Sequence, residues 1–177
     1  MSWRSVHWII LIAVLNSLGG CGFKPLYSSN PTSGNGIIQQ LSVINIDPIR
    51  DRVGQQLRNY LIDILTPTGR PQAPHYVLKV VLEETRSNMV ILRDATSTFA
   101  KVKIKAHFKL NSLSSNSTLV NKTTESTTVF NIVESEYANI TAQHDARRRA
   151  VHAIGDNIKL TLALFFGQRD QQPKDTR

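Results

Sequence analysis

Between Thr98 and Leu110 the chain alternates without a break: Val102, Ile104, Ala106, Phe108 and Leu110 fall on one parity, and Lys101, Lys103, Lys105, His107 and Lys109 on the other. Successive side chains of a strand point to opposite faces, so this period of two defines a strand with one core face and one wet face. An aliphatic row seeks cover and a lysine row resists it, so the strand belongs to a sheet that is packed on one side only. Asn111 to Thr118 is a polar turn, and Leu119 to Phe130 returns as a Thr-rich segment, which predicts an antiparallel hairpin. Tyr76 to Glu84 alternates in the same way, with Leu78, Val80 and Leu82 opposed to Lys79 and Glu83. Ser87 to Thr96 reads either as an extension of that strand or as a turn at the sheet edge.

Two segments of helical period can supply the cover. Ile49, Val53, Leu57, Tyr60, Leu61 and Ile64 recur at helical spacing after Asp47-Pro48, with Asp47 suited to the N-cap and Pro48 to the first helical position. Thr66-Pro67-Thr68-Gly69 ends that helix near Leu65. From Tyr137 to Phe166 the residues Ala142, Ala146, Ala150, Ile154, Ile158, Leu162 and Phe165 form a longer apolar stripe, with Gly167 as its stop. Ile38 to Ile46 suits a short strand, with Ile44 and Ile46 on one face. The order of strand, helix, about three strands and helix predicts an α+β fold, with two helices packed on one face of a mostly antiparallel sheet of about four strands.

The N-terminal stretch is of another kind. Arg4 precedes the apolar run Trp8 to Leu15, which is too short to cross a bilayer as a stable helix and reads as the core of a signal peptide. Leu18-Gly19-Gly20-Cys21 follows directly and matches the bacterial lipobox, in which the thiolate takes a diacylglyceryl group and cleavage falls before the cysteine. An ordinary secretory signal with an incidental thiol is the plainer alternative. A lone thiol is a liability in an oxidising compartment, whereas the lipobox puts it where the chemistry needs it. Gly22 stands where an Asp marks inner-membrane retention in well-studied enteric bacteria, which points to the outer membrane. The layout expected is a leader over residues 1–20, a lipidated N-terminus and turn-rich tether over 21–36, one α+β domain over 37–167 and a polar tail over 168–177.

Hydrophobic content of 41% and charged content of 19% suit a globular domain, and a formal charge of +8 favours anionic partners. Export makes nucleic acid an unsuitable one. With Cys21 as the single cysteine, no internal disulfide is available. The sequence carries no nucleophile elbow, no Gly-rich phosphate loop and no zinc-spaced His or Cys cluster, so no catalytic residue, cofactor or metal is expected and the chain reads as no enzyme. His144 and His152 flank Arg148 on one helix, which would repel a cation.

Cys21-Gly22-Phe23-Lys24-Pro25-Leu26-Tyr27 resembles the mature N-terminus of the LPS-assembly lipoproteins, LptE, in their alphaproteobacterial branch. Leu92-Arg93 before the long strand, Ser135-Glu136-Tyr137-Ala138, and Asp145 to Ala150 leading into Ile158 to Phe166 follow in the order seen in that family. The resemblance covers nearly the whole chain after the leader. It implies two helices against a four-stranded sheet. It also implies an outer-membrane lipoprotein, periplasm-facing or inside the lumen of its β-barrel partner LptD, that takes part in delivering lipopolysaccharide to the surface. The family binds lipopolysaccharide through basic residues, and Arg93 occupies the place of one of them. A lysine at the start of the last helix has no counterpart, since Ile140-Thr141-Ala142 stands there. The alternative is a periplasmic binding or accessory lipoprotein of another envelope transport system.

Arg93, Lys101, Lys103 and Lys105 are therefore the candidate lipopolysaccharide-binding residues, with Cys21 as the site of lipidation and of attachment to the membrane. Arginine bonds two phosphate oxygens at once, and lysine adds point charge. The competing reading of the ladder is a solvated edge strand whose lysines discourage sheet-to-sheet aggregation. Arg147-Arg148-Arg149 reads as a solvated helix face. Intact-mass measurement on protein extracted from membranes should show a chain that begins at Cys21 and carries three acyl chains; an unmodified thiol or a free amine would rule this processing out.

Overall fold

The computed structural model describes residues 34–67, 69–90 and 98–171. Cys21 and Arg93 lie outside the described residues. The elements are helix α1 (Gly34–Ser42), strand β1 (Ile44–Ile46), helix α2 (Asp51–Leu65), strands β2 (Tyr76–Val90), β3 (Thr98–Ser112) and β4 (Thr118–Ile132), and helix α3 (Glu136–Gln171). The four strands form one sheet in the order β1-β2-β3-β4, with β1 parallel to β2 and the other pairings antiparallel. This is the α+β architecture expected, with a third, short helix added.

The core lies between one face of the sheet and the helices. Along β3, Ala100, Val102, Ile104, Ala106, Phe108 and Leu110 are all buried. Leu78 and Val80 of β2 stand opposite Leu110 and Phe108, and Val120 and Phe130 of β4 opposite Leu110 and Ala100. The stripe of α3 meets this layer: Ala146, Ala150, Ile154, Ile158 and Leu162 are fully buried. A 36-residue helix is about 54 Å long and a 15-residue strand about 50 Å, so α3 runs the length of the hairpin. Thr128 of β4 ties the two together by donating its hydroxyl to the Ala146 carbonyl at 3.0 Å. Near the N-terminal half of α3, the Arg147 guanidinium grips the Glu84 carboxylate of β2 with two contacts of 2.8 Å.

Helix α2 crosses α3 closely at Gly155. A Cβ there would stand 2.5 Å from the Tyr60 ring, so only glycine allows the approach. Leu57, Leu61 and Leu65 of α2 fill the core side of that crossing.

Several local expectations are corrected. The stretch Ile38 to Ile46 is not one strand: α1 runs through Ser42 and only Ile44–Ile46 pairs with β2. Ile37 and Leu41, four apart, are both buried, and this contact holds a nine-residue helix that could not persist alone. Residues 34–36, assigned to the tether, belong to α1. Asp47 does not cap α2. Its N–H donates to the Leu78 carbonyl at 3.0 Å, so the sheet claims it and the helix begins at Asp51. Arg50 gives no side-chain cap; instead Arg58 and Gln55 of α2 reach back to the Ile46 and Ile49 carbonyls. Gly54 lets Ile49 fold onto the helix, since a Cβ would meet the Ile49 side chain at 2.6 Å. The stretch after Ser87 continues β2 to Val90. Gly167 does not stop α3, which runs on to Gln171. A glycine ends a helix by turning left-handed, and Gly167 has no positive φ.

Leu57 and Ile158 are fully buried in the α2–α3–sheet core, so replacing either by Ala should cost about 2–5 kcal/mol in a denaturant titration. A loss below about half a kcal/mol at both positions, the range of an ordinary surface change, would contradict this packing.

Candidate functional site

Because one face of the hairpin is committed to the core, the other is left uncovered by the described residues. It carries Lys79, Val81, Glu83 and Thr85 from β2, Lys101, Lys103, Lys105, His107 and Lys109 from β3, and Asn121, Thr123, Glu125, Thr127 and Val129 from β4. Across these three strands the face holds five lysines against two glutamates. The structure thus brings the predicted Lys101, Lys103 and Lys105 together on one surface, and adds Lys79 and Lys109.

The lysines are not equivalent. Lys103 forms an ion pair with Glu125 at 2.9 Å. Lys105 lies in register between Glu83 on one side and Glu125 on the other. His107 bonds the Thr123 hydroxyl at 2.8 Å through Nδ1 and approaches Glu83 to 3.7 Å through Nε2. Lys101 is flanked by Ser87 and Val129, with no carboxylate beside it in register. Lys79 stands directly opposite Lys109, with Asn121 next in the row. Lys79 could have been singled out only by knowing the register, because its own strand shows nothing more than alternation.

The arginine run behaves as a helix face. Arg148 and Arg149 both pair with Asp145 one turn away, and Arg147 alone turns to the sheet, onto Glu84. Arg86 of β2 donates to the Gln143 amide oxygen at 3.0 Å.

A second polar recess, of about 260 Å³, lies between α2 and α3 and is lined by Gln56, Asn59, Tyr60, Asp63, Arg148, Val151 and His152. Tyr60 and His152 stack at 4.2 Å between ring centres, and the Tyr60 hydroxyl donates to Asp156 Oδ1 at 2.8 Å. Its two rings occupy each other, so the recess serves as a helix–helix contact. No group of three His, Cys, Asp or Glu side chains among the described residues is placed to hold a metal. No described helix is long and apolar enough to cross a membrane.

Three solved structures share this arrangement. A candidate lipoprotein from Caulobacter crescentus superposes with a TM-score of 0.62 at 21% identity, over 75% of this chain and 96% of that one. Rare lipoprotein B from Shewanella oneidensis gives 0.55 at 8% identity, over 72% and 97%. A minor lipoprotein from Acinetobacter baumannii gives 0.51 at 16% identity, over 68% and 91%. The chain has the fold of these proteins. No protein-family model matches the sequence, and no curated protein matches it significantly. At such identities the likeness is one of fold.

The Tyr60–Asp156 contact gives a pH signature. The hydrogen bond to Asp156, then partial desolvation, then the carboxylate's charge raise the Tyr60 phenol above its usual value. A group whose folded pKa is raised contributes stability that is full below its unfolded pKa, near 10, and is lost as pH climbs through the folded value. Unfolding free energy measured above about pH 10 should therefore fall with pH. Asp156→Asn should flatten that fall; an unchanged alkaline limb would contradict the assignment.

Proposed function

We propose that the chain is a lipoprotein of the outer membrane, anchored through acyl chains on Cys21, that plugs and helps assemble an LptD-type β-barrel. With that barrel it takes part in delivering lipopolysaccharide to the cell surface, and it touches the lipopolysaccharide itself. The observation that carries this reading is the uncovered face of the β2–β3–β4 sheet, where lysines outnumber carboxylates and Lys79, Lys101, Lys105 and Lys109 make no ion pair with any described residue. A long basic sheet face suits a partner that is both extended and anionic. The lipobox at Cys21, the resemblance of Cys21 to Tyr27 to the LPS-assembly lipoproteins, and the fold shared with solved lipoproteins support the same reading. In this reading the helices act as scaffold, holding the hairpin flat enough to present its lysines.

Detergent extraction of tagged protein tests the partner. The account expects a stable complex with one large barrel, whereas a free monomer would favour an accessory lipoprotein of another system. For the lipid, Lys101→Gln with Lys105→Gln should weaken lipopolysaccharide binding while leaving barrel association intact, because rim charges contribute less to a stable interface than buried apolar anchors. Binding by wild-type protein should also weaken as salt is raised. Binding that is indifferent to both the substitutions and the salt would remove the sheet face from the lipid role.

A further inference from the structure

The cross-strand pair of Lys79 and Lys109 is unusual for a sheet. Like charges placed directly opposite are destabilising, and across the β2–β3 pair each of these lysines has the other as its neighbour; on the β1 side of Lys79 the chain runs on to Asp47, which makes no ion pair with it. Lys109 is flanked on its other side by Asn121, whose amide is a further donor, so the row Lys79–Lys109–Asn121 presents N–H groups across three strands. None of the three makes an ion pair with a described residue. Four residues along, by contrast, Lys105 stands in register between two carboxylates, Glu83 and Glu125. The row between them sets Val81, 63% exposed, beside His107 and Thr123. The face therefore places two lysines, neither in an ion pair with a described residue, next to an exposed apolar side chain, which complements the phosphate headgroup and acyl chain of an amphiphile.

We propose that Lys79, Lys109 and Asn121 cradle a phosphate group of the lipid that this face handles. The proposal rests on the lipid part of the function proposed above and names its anion site. An anion bridging the two ammonium groups replaces their repulsion with two charge-assisted hydrogen bonds, and the Asn121 amide adds a third contact. Lys103, predicted as a ligand, is here a structural partner of Glu125. The cradle makes two readouts move in opposite directions. Removing one lysine relieves repulsion in the free protein and removes a ligand for the anion.

The test uses the full chain in non-ionic detergent, titrated with bisphosphorylated lipid A, with its dephosphorylated form and with inorganic phosphate. Lys79→Gln and Lys109→Gln should each bind the phosphorylated lipid about tenfold more weakly, and should melt, without lipid, at or above the wild-type temperature. Lys122→Gln is the control: it removes the same charge from β4, but from the row facing Phe108 on the other side of the sheet, and should bind as wild type. Wild-type protein should bind the dephosphorylated lipid far more weakly than the phosphorylated one. Lysine variants that bind like wild type would overturn the cradle and leave the lipid reading standing. Wild-type protein that binds no lipid A would overturn both. Inorganic phosphate that binds as tightly as the lipid would overturn the lipid as the source of the anion.

Discussion

The contact on which the molecule depends is that of β3 with α3. Six apolar residues of β3 face the helices and are sealed beneath them, while Ala146, Ala150, Ile154, Ile158 and Leu162 of α3 close over that layer. The small alanines let the helix lie close to β4, and Thr128 fastens it there through the Ala146 carbonyl. Strand periodicity then decides the rest of the surface. With every even-numbered position of β3 buried from Ala100 to Leu110, each odd-numbered one between them must face away, and all five of those are basic or potentially basic. The basic face follows from the way the core is built.

That face also explains how a cationic surface persists on a marginally stable domain. Lys103 is paired with Glu125 and Lys105 stands between two carboxylates, whereas at the two ends of the ladder Lys101, and Lys79 with Lys109, make no ion pair with a described residue. The helix side is treated differently. There four arginines are paired: Arg147 with Glu84, Arg148 and Arg149 with Asp145, and Arg86 with Gln143. Arg147 and Arg86 thus tie α3 to β2, while the open face keeps lysines that make no ion pair with a described residue.

Much of this was legible in the sequence because its longest signals are the ones that form the core. The period of two in β3 and the stripe from Ala142 to Phe165 extend over many residues, and no local competitor overrides them. The misreadings fall where a short signal met a tertiary contact. Ile37 and Leu41 offer a single helical repeat, too little to outweigh a strand-like run, yet enough once α3 is there to pack against. Asp47-Pro48 has the chemistry of a helix start, but the sheet took the Asp47 N–H first. The opposition of Lys79 and Lys109 is invisible in either strand alone, since it depends on how β2 and β3 slide past each other, which alternation does not fix. Lys101, Lys103 and Lys105 were found together as expected, but their unequal neutralisation required the glutamates of two other strands.

The central claim is that the open sheet face is the one covered in the cell. Lysine-selective acylation, read residue by residue by mass spectrometry, compares the protein in intact membranes with the same protein purified free of partners. The account predicts that Lys79, Lys101, Lys105 and Lys109 are protected in membranes and become reactive on purification, while Lys122 on the other side of the sheet reacts alike in both. Equal reactivity of the four open-face lysines in the two states would contradict it.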